Sequence, residues 1–330
     1  MGEHGVVVAV ADVDVTISSP TKVMFPEQGW TKMDVVDHFV ACIDGAWRGV
    51  ADRPTMLKRW PQGAGGDPFY QKRYRGAGDA VDIRFPSARP GRMFVPRHPS
   101  DVIAMIQLGC LDLHPWPVRA DDQDHPDELR IDLDPTPGVS FADVRTVAVE
   151  TRYLLEEHGL VGWPKTSGSR GIHVYARLHR RWSAHQVRRA VLALARELER
   201  RLPGVATSSW WKEERSGVFV DYNQNAPDKT VASAYSVRRG GYVSAPLTWA
   251  EVPDAETEDF PMGGFGARYR EVGDPWAAMD GRRGTLDSLL ELVRRHEAAG
   301  MGEAPWPPHY PKMPGEPPRV QPSKRRPGKA

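Results

Sequence analysis

Cysteine is almost absent. Cys42 and Cys110 are the only two in 330 residues, too few for a disulfide framework or a Cys-rich zinc site. No run of 18 apolar residues occurs, which excludes a membrane-spanning helix. The N-terminus, MGEHGVVVAVADVDV, is too acidic and its apolar stretch too short for a secretory signal. These absences point to a reducing cytoplasm. No internal repeat is visible. A charge excess is missing as well: Lys plus Arg is 44 and Asp plus Glu is 43, a net charge of +1. As a sum this argues against a nucleic-acid partner. The sum hides placement. Arg53 to Arg97 holds ten Lys/Arg and three acids, Asp121 to Asp134 holds seven acids and one Arg, and the tail from Arg319 holds five Lys/Arg and no acid. A basic stretch beside an acidic one is what a polyanion-binding metalloenzyme needs.

What is present suffices for a folded body. Hydrophobic residues are 40% and charged residues 26%, which excludes wholesale disorder. The length fits two or three domains or one large α/β domain. Helices are expected after Thr31 with Asp34, after Ser100, after Ser140 with Asp143 and after Ser183 with Gln186, each a capping signal before an apolar period. A fifth is expected near Leu286–Glu297. Strands are expected at Met56–Trp60, Val81–Phe85, Leu111–His114, Leu129–Asp134, Gly171–Leu178, Val218–Tyr222 and Thr230–Val237. The order lacks strict β-α alternation. It predicts a mixed α/β fold with a largely antiparallel central sheet and flanking helices. A catalytic unit over 1–295 is expected, followed at 296–330 by a Pro-rich basic tail, extended or disordered, whose composition does not readily form a core.

The sharpest local signal is Leu129-Arg130-Ile131-Asp132-Leu133-Asp134-Pro135. On a strand Asp132 and Asp134 share one face, and Ile131 and Leu133 share the other. Carboxylates about 7 Å apart on a strand face can bracket two hard cations. Two metals about 3.5–4 Å apart serve in-line phosphoryl displacement. A solvated face ending in an Asp-Pro turn has the same pattern. Asp221 ends the apolar run Val218-Phe219-Val220 and is a third candidate, or an ordinary turn former.

A second signal is Thr166-Ser167-Gly168-Ser169-Arg170-Gly171-Ile172-His173. Glycines and hydroxyls make a turn whose N–H groups can surround an anion, and His173 can donate to a phosphate oxygen. A plain hairpin turn remains open; the Gly-Lys-Ser/Thr ending of a Walker loop is missing. His114, before Pro115-Trp116, is either a packing residue or part of the same site. Basic and aromatic residues interleave at Lys58-Arg59-Trp60 and Phe69-Tyr70-Gln71-Lys72-Arg73-Tyr74-Arg75, where bases could stack and phosphates bind.

In order, Leu113-His114-Pro115-Trp116, Asp132-Leu133-Asp134-Pro135, Thr166 to His173, Val220-Asp221-Tyr222-Asn223-Gln224-Asn225 and Tyr235-Ser236-Val237-Arg238 resemble the polymerase domain of bacterial DNA ligase D, a branch of the archaeo-eukaryotic primase superfamily. The resemblance runs from about Val15 to Leu292. It implies a primase-like catalytic fold and a template-dependent nucleotidyltransferase that prefers ribonucleotides and acts in end joining. By position it implies that Asp132, Asp134 and Asp221 hold two Mn²⁺ or Mg²⁺ ions, with His114 beside them in the catalytic site. It implies nucleotide contacts from Lys58, Ser167, His173, Lys229 and Arg238, and stacking by Phe69 or Tyr70. Lys22 and Lys32 match positions that hold the 5′-phosphate of a gap or broken end. Implied partners are gapped or broken-end DNA, rNTP or dNTP, Ku and a DNA ligase, in a nucleoid-associated cytoplasmic setting.

No ligase or nuclease module is readable, so a standalone polymerase or a fragment of a larger protein is expected, the Met at the start and the chain's own tail favouring the standalone form. Other readings are a non-catalytic DNA-end-binding module, a primase-polymerase at stalled forks, and a metal-dependent phosphohydrolase.

Overall fold

The computed structural model describes residues 5–76, 78–85 and 89–319. Two hairpins open the chain, β1 (Val6–Val10) with β2 (Val13–Ile17) and β3 (Val23–Phe25) with β4 (Trp30–Thr31). Then come α1 (Lys32–Ala41), α2 (Ile43–Val50), β5 (Thr55–Arg59), β6 (Phe69–Gln71), β7 (Ala80–Ile83), β8 (Gly91–Phe94), α3 (Pro99–Gln107) and β9 (Cys110–Pro115). The second half runs β10 (Glu128–Pro135), α4 (Phe141–Glu157), β11 (Trp163–Thr166), β12 (Ile172–Arg177), α5 (Ala184–Arg201), β13 (Ala206–Thr207), β14 (Val218–Asp221), α6 (Phe265–Val272) and α7 (Asp287–Ala298). One sheet has the order β11-β12-β10-β14-β13 and the other β6-β5-β8-β7, with β9 also paired to β5. Among the named strand pairs only β13 with β14 is parallel. The mixed, largely antiparallel α/β expectation holds. No described helix is long and apolar enough to cross a membrane.

Helix starts follow their caps. Thr31, Ser140 and Ser183 each accept from the backbone N–H three residues on, and Asp34, Asp143 and Gln186 return the bond. Ser100 is not a cap. His98 is: its ring accepts from Ser100 N at 3.2 Å, and Pro99, whose φ is already helical, takes the first helical position. The expected strand at Thr230–Val237 is also absent. Small residues, Ala232, Ser233 and Ala234, interrupt its apolar run, and Tyr235 adopts a left-handed conformation at φ 67°. The segment instead docks on β9 at separate points, Ser233 N to Leu113 O at 2.8 Å and Val237 N to Leu111 O at 2.9 Å.

Strand β10 organises the molecule. Leu129, Ile131 and Leu133 are fully buried in the core, and helices α4 and α5 pack on this strand. Glu128, Arg130, Asp132 and Asp134 occupy the opposite face, by the alternation of a strand. At the buried end Glu128 accepts from Arg53 at 2.9 Å and also pairs with Arg130 and Arg177. Asp127 accepts from Arg119 at 2.7 Å, and Arg177 donates to Asp280 at 2.8 Å. Arg53 precedes β5, so this ion cluster fastens the two sheets together.

Helix α7 runs into the expected tail as far as Ala298; from 299 through 319 the segment has no helix or strand, yet it packs. Trp306 and Tyr310 bury themselves against Ala226. Glu303 pairs with buried Arg188 at 2.5 Å, and that guanidinium lies over Trp306, 4.3 Å from the ring centroid. The expectation that this composition builds no core is corrected for these residues: two large aromatics supply the area, and prolines reduce the entropy lost on ordering. Residues 320–330 of the tail lie outside the described residues.

The ion cluster makes acid stability predictable. Burial would raise the Glu128 carboxyl, but Arg53, Arg130 and Arg177 outweigh it and bring it from 4.5 to about 2. A depressed carboxyl contributes stability that is complete above the unfolded value and is lost as pH falls toward the folded one. Glu128→Gln should therefore cost about 3–5 kcal/mol at pH 7, because it strands buried guanidiniums. The difference from wild type should shrink below pH 4, as read by urea unfolding across pH.

Candidate active site

Four titratable groups lie in one row across the first sheet. Lys165 on β11 faces His173 on β12, His173 faces Asp132 on β10, and Asp132 faces Asp221 on β14. Lys165 is completely buried. Its Nζ donates to His173 Nδ1 at 2.7 Å and to Ser244 Oγ at 2.6 Å, and the Ser244 hydroxyl donates to Thr166 O. With Nδ1 accepting, the ring proton sits on Nε2, which is 3.2 Å from Asp132 Oδ1. Burial, then the neighbouring Lys165, lower His173 to about 4. At neutral pH this contact is therefore a hydrogen bond from a neutral imidazole.

The aspartates respond to one another. Burial, then Asp132, raise Asp221 to about 6. Burial and Asp132 also raise Asp134, which is the exposed member of the set. Burial pushes Asp132 the same way, but the His173 contact together with Lys165 and Arg238 outweighs it and leaves Asp132 low. Asp221 accepts from Asn223 N at 2.9 Å and from Gln224 Nε2 at 2.8 Å. Among the described residues no three His, Cys, Asp or Glu side chains converge into a finished ligand set. The donor set still fits hard divalent cations: oxygen ligands only, on adjacent strands, with a mutual repulsion that a cation relieves. Asp132, Asp134 and Asp221 are the residues that would hold them.

A second group surrounds Asp112, an almost completely buried carboxylate on β9 that the sequence reading passed over. It accepts from Lys58 Nζ at 2.7 Å, Trp60 Nε1 at 3.1 Å and His114 Nε2 at 2.9 Å. Arg238 Nε lies 3.8 Å away. Burial alone would raise this carboxyl, but His114, Lys58 and Arg238 hold it well below its ordinary range. Lys165 was also missed. A lone Lys beside a Pro carries no motif, although its alternation with Trp163 on a short strand places both on one face.

The Ser167–Gly171 loop joins the two groups. Ser167 Oγ accepts from Ser169 N at 3.1 Å and Gly171 N at 3.0 Å, so the hydroxyl shapes the turn and uses two N–H groups expected to be open to an anion. Arg238 Nη1 donates to Ser167 O at 3.3 Å. Gly168 sits at φ +68°, and a Cβ there would meet Arg238 Cγ at 2.6 Å, so only glycine lets the arginine approach.

Two adjoining cavities result, sharing Ser169, Arg170 and Arg238. One, about 250 Å³, is lined by His114, Asp132, Asp134, Ser167 and His173. The other, about 490 Å³, is lined by Lys58, Trp60, Tyr70 and Arg239. Tyr70 pairs with Lys58 across β5 and β6. Phe69 is exposed and does not line this cavity, as alternation requires. Thr230 lines the aspartate cavity but Lys229 does not; Lys229 lies near His309. A larger cavity of about 900 Å³ is walled by Asp82, Asp121, Asp122 and Asp124, the wrong sign for a polyanion.

Lys22 and Lys32 flank the β3–β4 hairpin, where Lys32 N donates to Lys22 O at 2.7 Å. Their ammonium groups donate to neutral acceptors, Lys22 to Pro61 O and Lys32 to Ser18 O. Burial, then Lys22, lower Lys32. The hairpin touches the turn after Arg238 through Gln28 Nε2 to Gly240 O at 3.4 Å.

The family described as the LigD primase-polymerase domain matches residues 31–276. The chain belongs to this family. It is a nucleotidyltransferase of the polymerase and primase type. It is 30% identical over 306 residues to the multifunctional non-homologous end joining protein LigD of Mycolicibacterium smegmatis, covering 90% of this chain and 40% of that protein. The LigD of Mycobacterium tuberculosis is 32% identical over 299 residues, covering 86% and 39%. The chain thus spans about two fifths of these relatives' length. The polymerase domain from Mycobacterium tuberculosis ligase D, solved in complex with DNA, superposes with a TM-score of 0.76 at 29% identity, covering 82% of this chain and 99% of that one.

Replacing Lys165 by Met should leave His173 Nδ1 and Ser244 Oγ without their partner. The expected cost is about 1–3 kcal/mol in urea unfolding, with nucleotide incorporation reduced more than by Ser244→Ala. Equal incorporation by the two variants would remove Lys165 from the site.

Proposed function

We propose that the protein extends a primer 3′-OH against a template at gaps or broken DNA ends, prefers ribonucleotides, and serves non-homologous end joining or short-gap repair with Ku and a DNA ligase. The observation that carries this reading is the Asp132–Asp221 register beside His173, opening onto the cationic wall of Arg170, Arg238 and Lys58. Carboxylates for cations and cations for phosphates thus meet in one cleft. The Mycobacterium tuberculosis neighbour carries DNA in its structure, and the relatives' names place them in end joining.

Two Mn²⁺ or Mg²⁺ ions on the aspartates would acidify the 3′-OH and neutralise the departing pyrophosphate. The chain's own residues align the reactants. Arg170 and Arg238 hold the triphosphate over the Ser167 turn, and the His173 Nε2 proton keeps Asp132 ionised and oriented. Tyr70 offers a face for a base, and exposed Phe69 offers another on the opposite side of β6. Lys22 and Lys32, whose ammonium groups bond to neutral oxygens among the described residues, receive a 5′-phosphate. Positioning and charge, rather than a protein nucleophile, carry the reaction.

Primer extension on a 5′-phosphorylated gapped duplex with Mn²⁺ and rNTPs should succeed for the intact protein and fall at least about 100-fold for Asp134→Ala. No extension by the intact protein would defeat the proposal. A second assay compares gaps with and without the 5′-phosphate. Its advantage should disappear in a Lys22→Ala/Lys32→Ala variant, with extension of an open primer-template as the reference.

A further inference from the structure

The Asp112 carboxylate is almost completely buried beneath the cationic wall and lines neither of the two site cavities. Its partners come from three separate stretches: Lys58 on β5 with Trp60 just after it, His114 on β9, and Arg238 after the segment docked on β9. That docking is tight, with Leu113 N donating to Ser236 Oγ at 2.9 Å and Val237 N to Leu111 O at 2.9 Å. A single carboxylate oxygen, Oδ2, lies within 3.8 Å of all three titratable partners. Trp60 fixes the other oxygen, and the Lys58 ammonium lies 4.9 Å from the centroid of the same indole.

Such a hub is expensive as structure. An apolar residue of similar volume generally packs as well as or better than a buried ion cluster. Without the anion, Lys58 and Arg238 would repel each other, and both side chains are partly exposed, so nothing else of opposite charge is needed to draw them toward solvent. We propose that Asp112 is a positioning residue that holds Lys58, His114 and Arg238 in the orientation that receives a nucleotide triphosphate. This rests on the nucleotidyltransferase reading above. The proposal predicts a sign that charge counting does not. Removing a negative charge from a polyanion site should tighten binding if charge alone matters, whereas loss of orientation weakens it.

The test uses inorganic tripolyphosphate as the probe, by calorimetry, together with steady-state incorporation of ATP on a gapped duplex. Asp112→Asn should weaken tripolyphosphate binding and raise the nucleotide KM about tenfold or more, with kcat changed much less, the loss expected when charge-assisted contacts lose their alignment. Asp112→Glu keeps the charge and moves it by one methylene; it should fall between wild type and Asp112→Asn. Unchanged or tighter binding by Asp112→Asn overturns the proposal. If Asp112→Asn does not fold, Asp112→Glu decides alone: a threefold or larger rise in KM, roughly what small displacements cost, supports it, and wild-type values overturn it. Asp112-dependent tripolyphosphate binding in a protein that never incorporates nucleotide would defeat the polymerase reading and leave the hub standing. Incorporation that ignores Asp112 would do the reverse.

Discussion

The structure depends on the alternation of strand β10. One face, Leu129, Ile131 and Leu133, lies in the core with α4 and α5 packed on the strand, and the other face is charged along its whole length. A charged face inside a protein must be neutralised or opened to solvent. This strand does both in sequence. Glu128 and Arg130 are locked in the guanidinium cluster, Asp132 is held by a neutral histidine, and Asp134 reaches solvent. The same periodicity that builds the sheet therefore delivers carboxylates, in graded burial, to the floor of a cleft.

Two buried titratable side chains support that cleft from below. Lys165 fixes the tautomer of His173, and Asp112 gathers Lys58, His114 and Arg238. Neither group needs contact with a substrate to matter. Each sets the direction of a side chain that lines a cavity, and direction is what separates a reactive arrangement from a collection of charges. The two sheets meet here. The Asp112 group belongs to the β5–β9 sheet and the Lys165 row to the β10–β12 sheet, with Arg238 bonded to the Ser167 loop between them.

Much of this was legible in the sequence because it follows from local rules. The capped helices, the strand at Leu129–Asp134 and the pairing of Asp132 with Asp134 on one face come from period and capping alone. The ordered motifs supplied Asp221, Arg238 and the two lysines, and the structure brings Asp132, Asp221, His173, Ser167 and Arg238 together. What stayed hidden depends on tertiary register. Asp112 and Lys165 carry no motif, and only cross-strand pairing shows what they touch. Thr230–Val237 looked like a strand because its apolar content was visible and its left-handed Tyr235 was not. Trp306 and Tyr310 were discounted for their proline neighbours, although aromatics need only a matching surface to become core.

The central claim is that the charged face of β10 is a metal and triphosphate floor. The most direct test is a crystal structure of the protein grown with Mn²⁺ and a non-hydrolysable ribonucleoside triphosphate, with manganese located by anomalous scattering. The account predicts manganese bound between Asp132, Asp134 and Asp221, with the phosphates against Arg170, Arg238 and the Ser167 loop. Manganese bound elsewhere, or a triphosphate seated away from that loop at saturating concentrations, would contradict it.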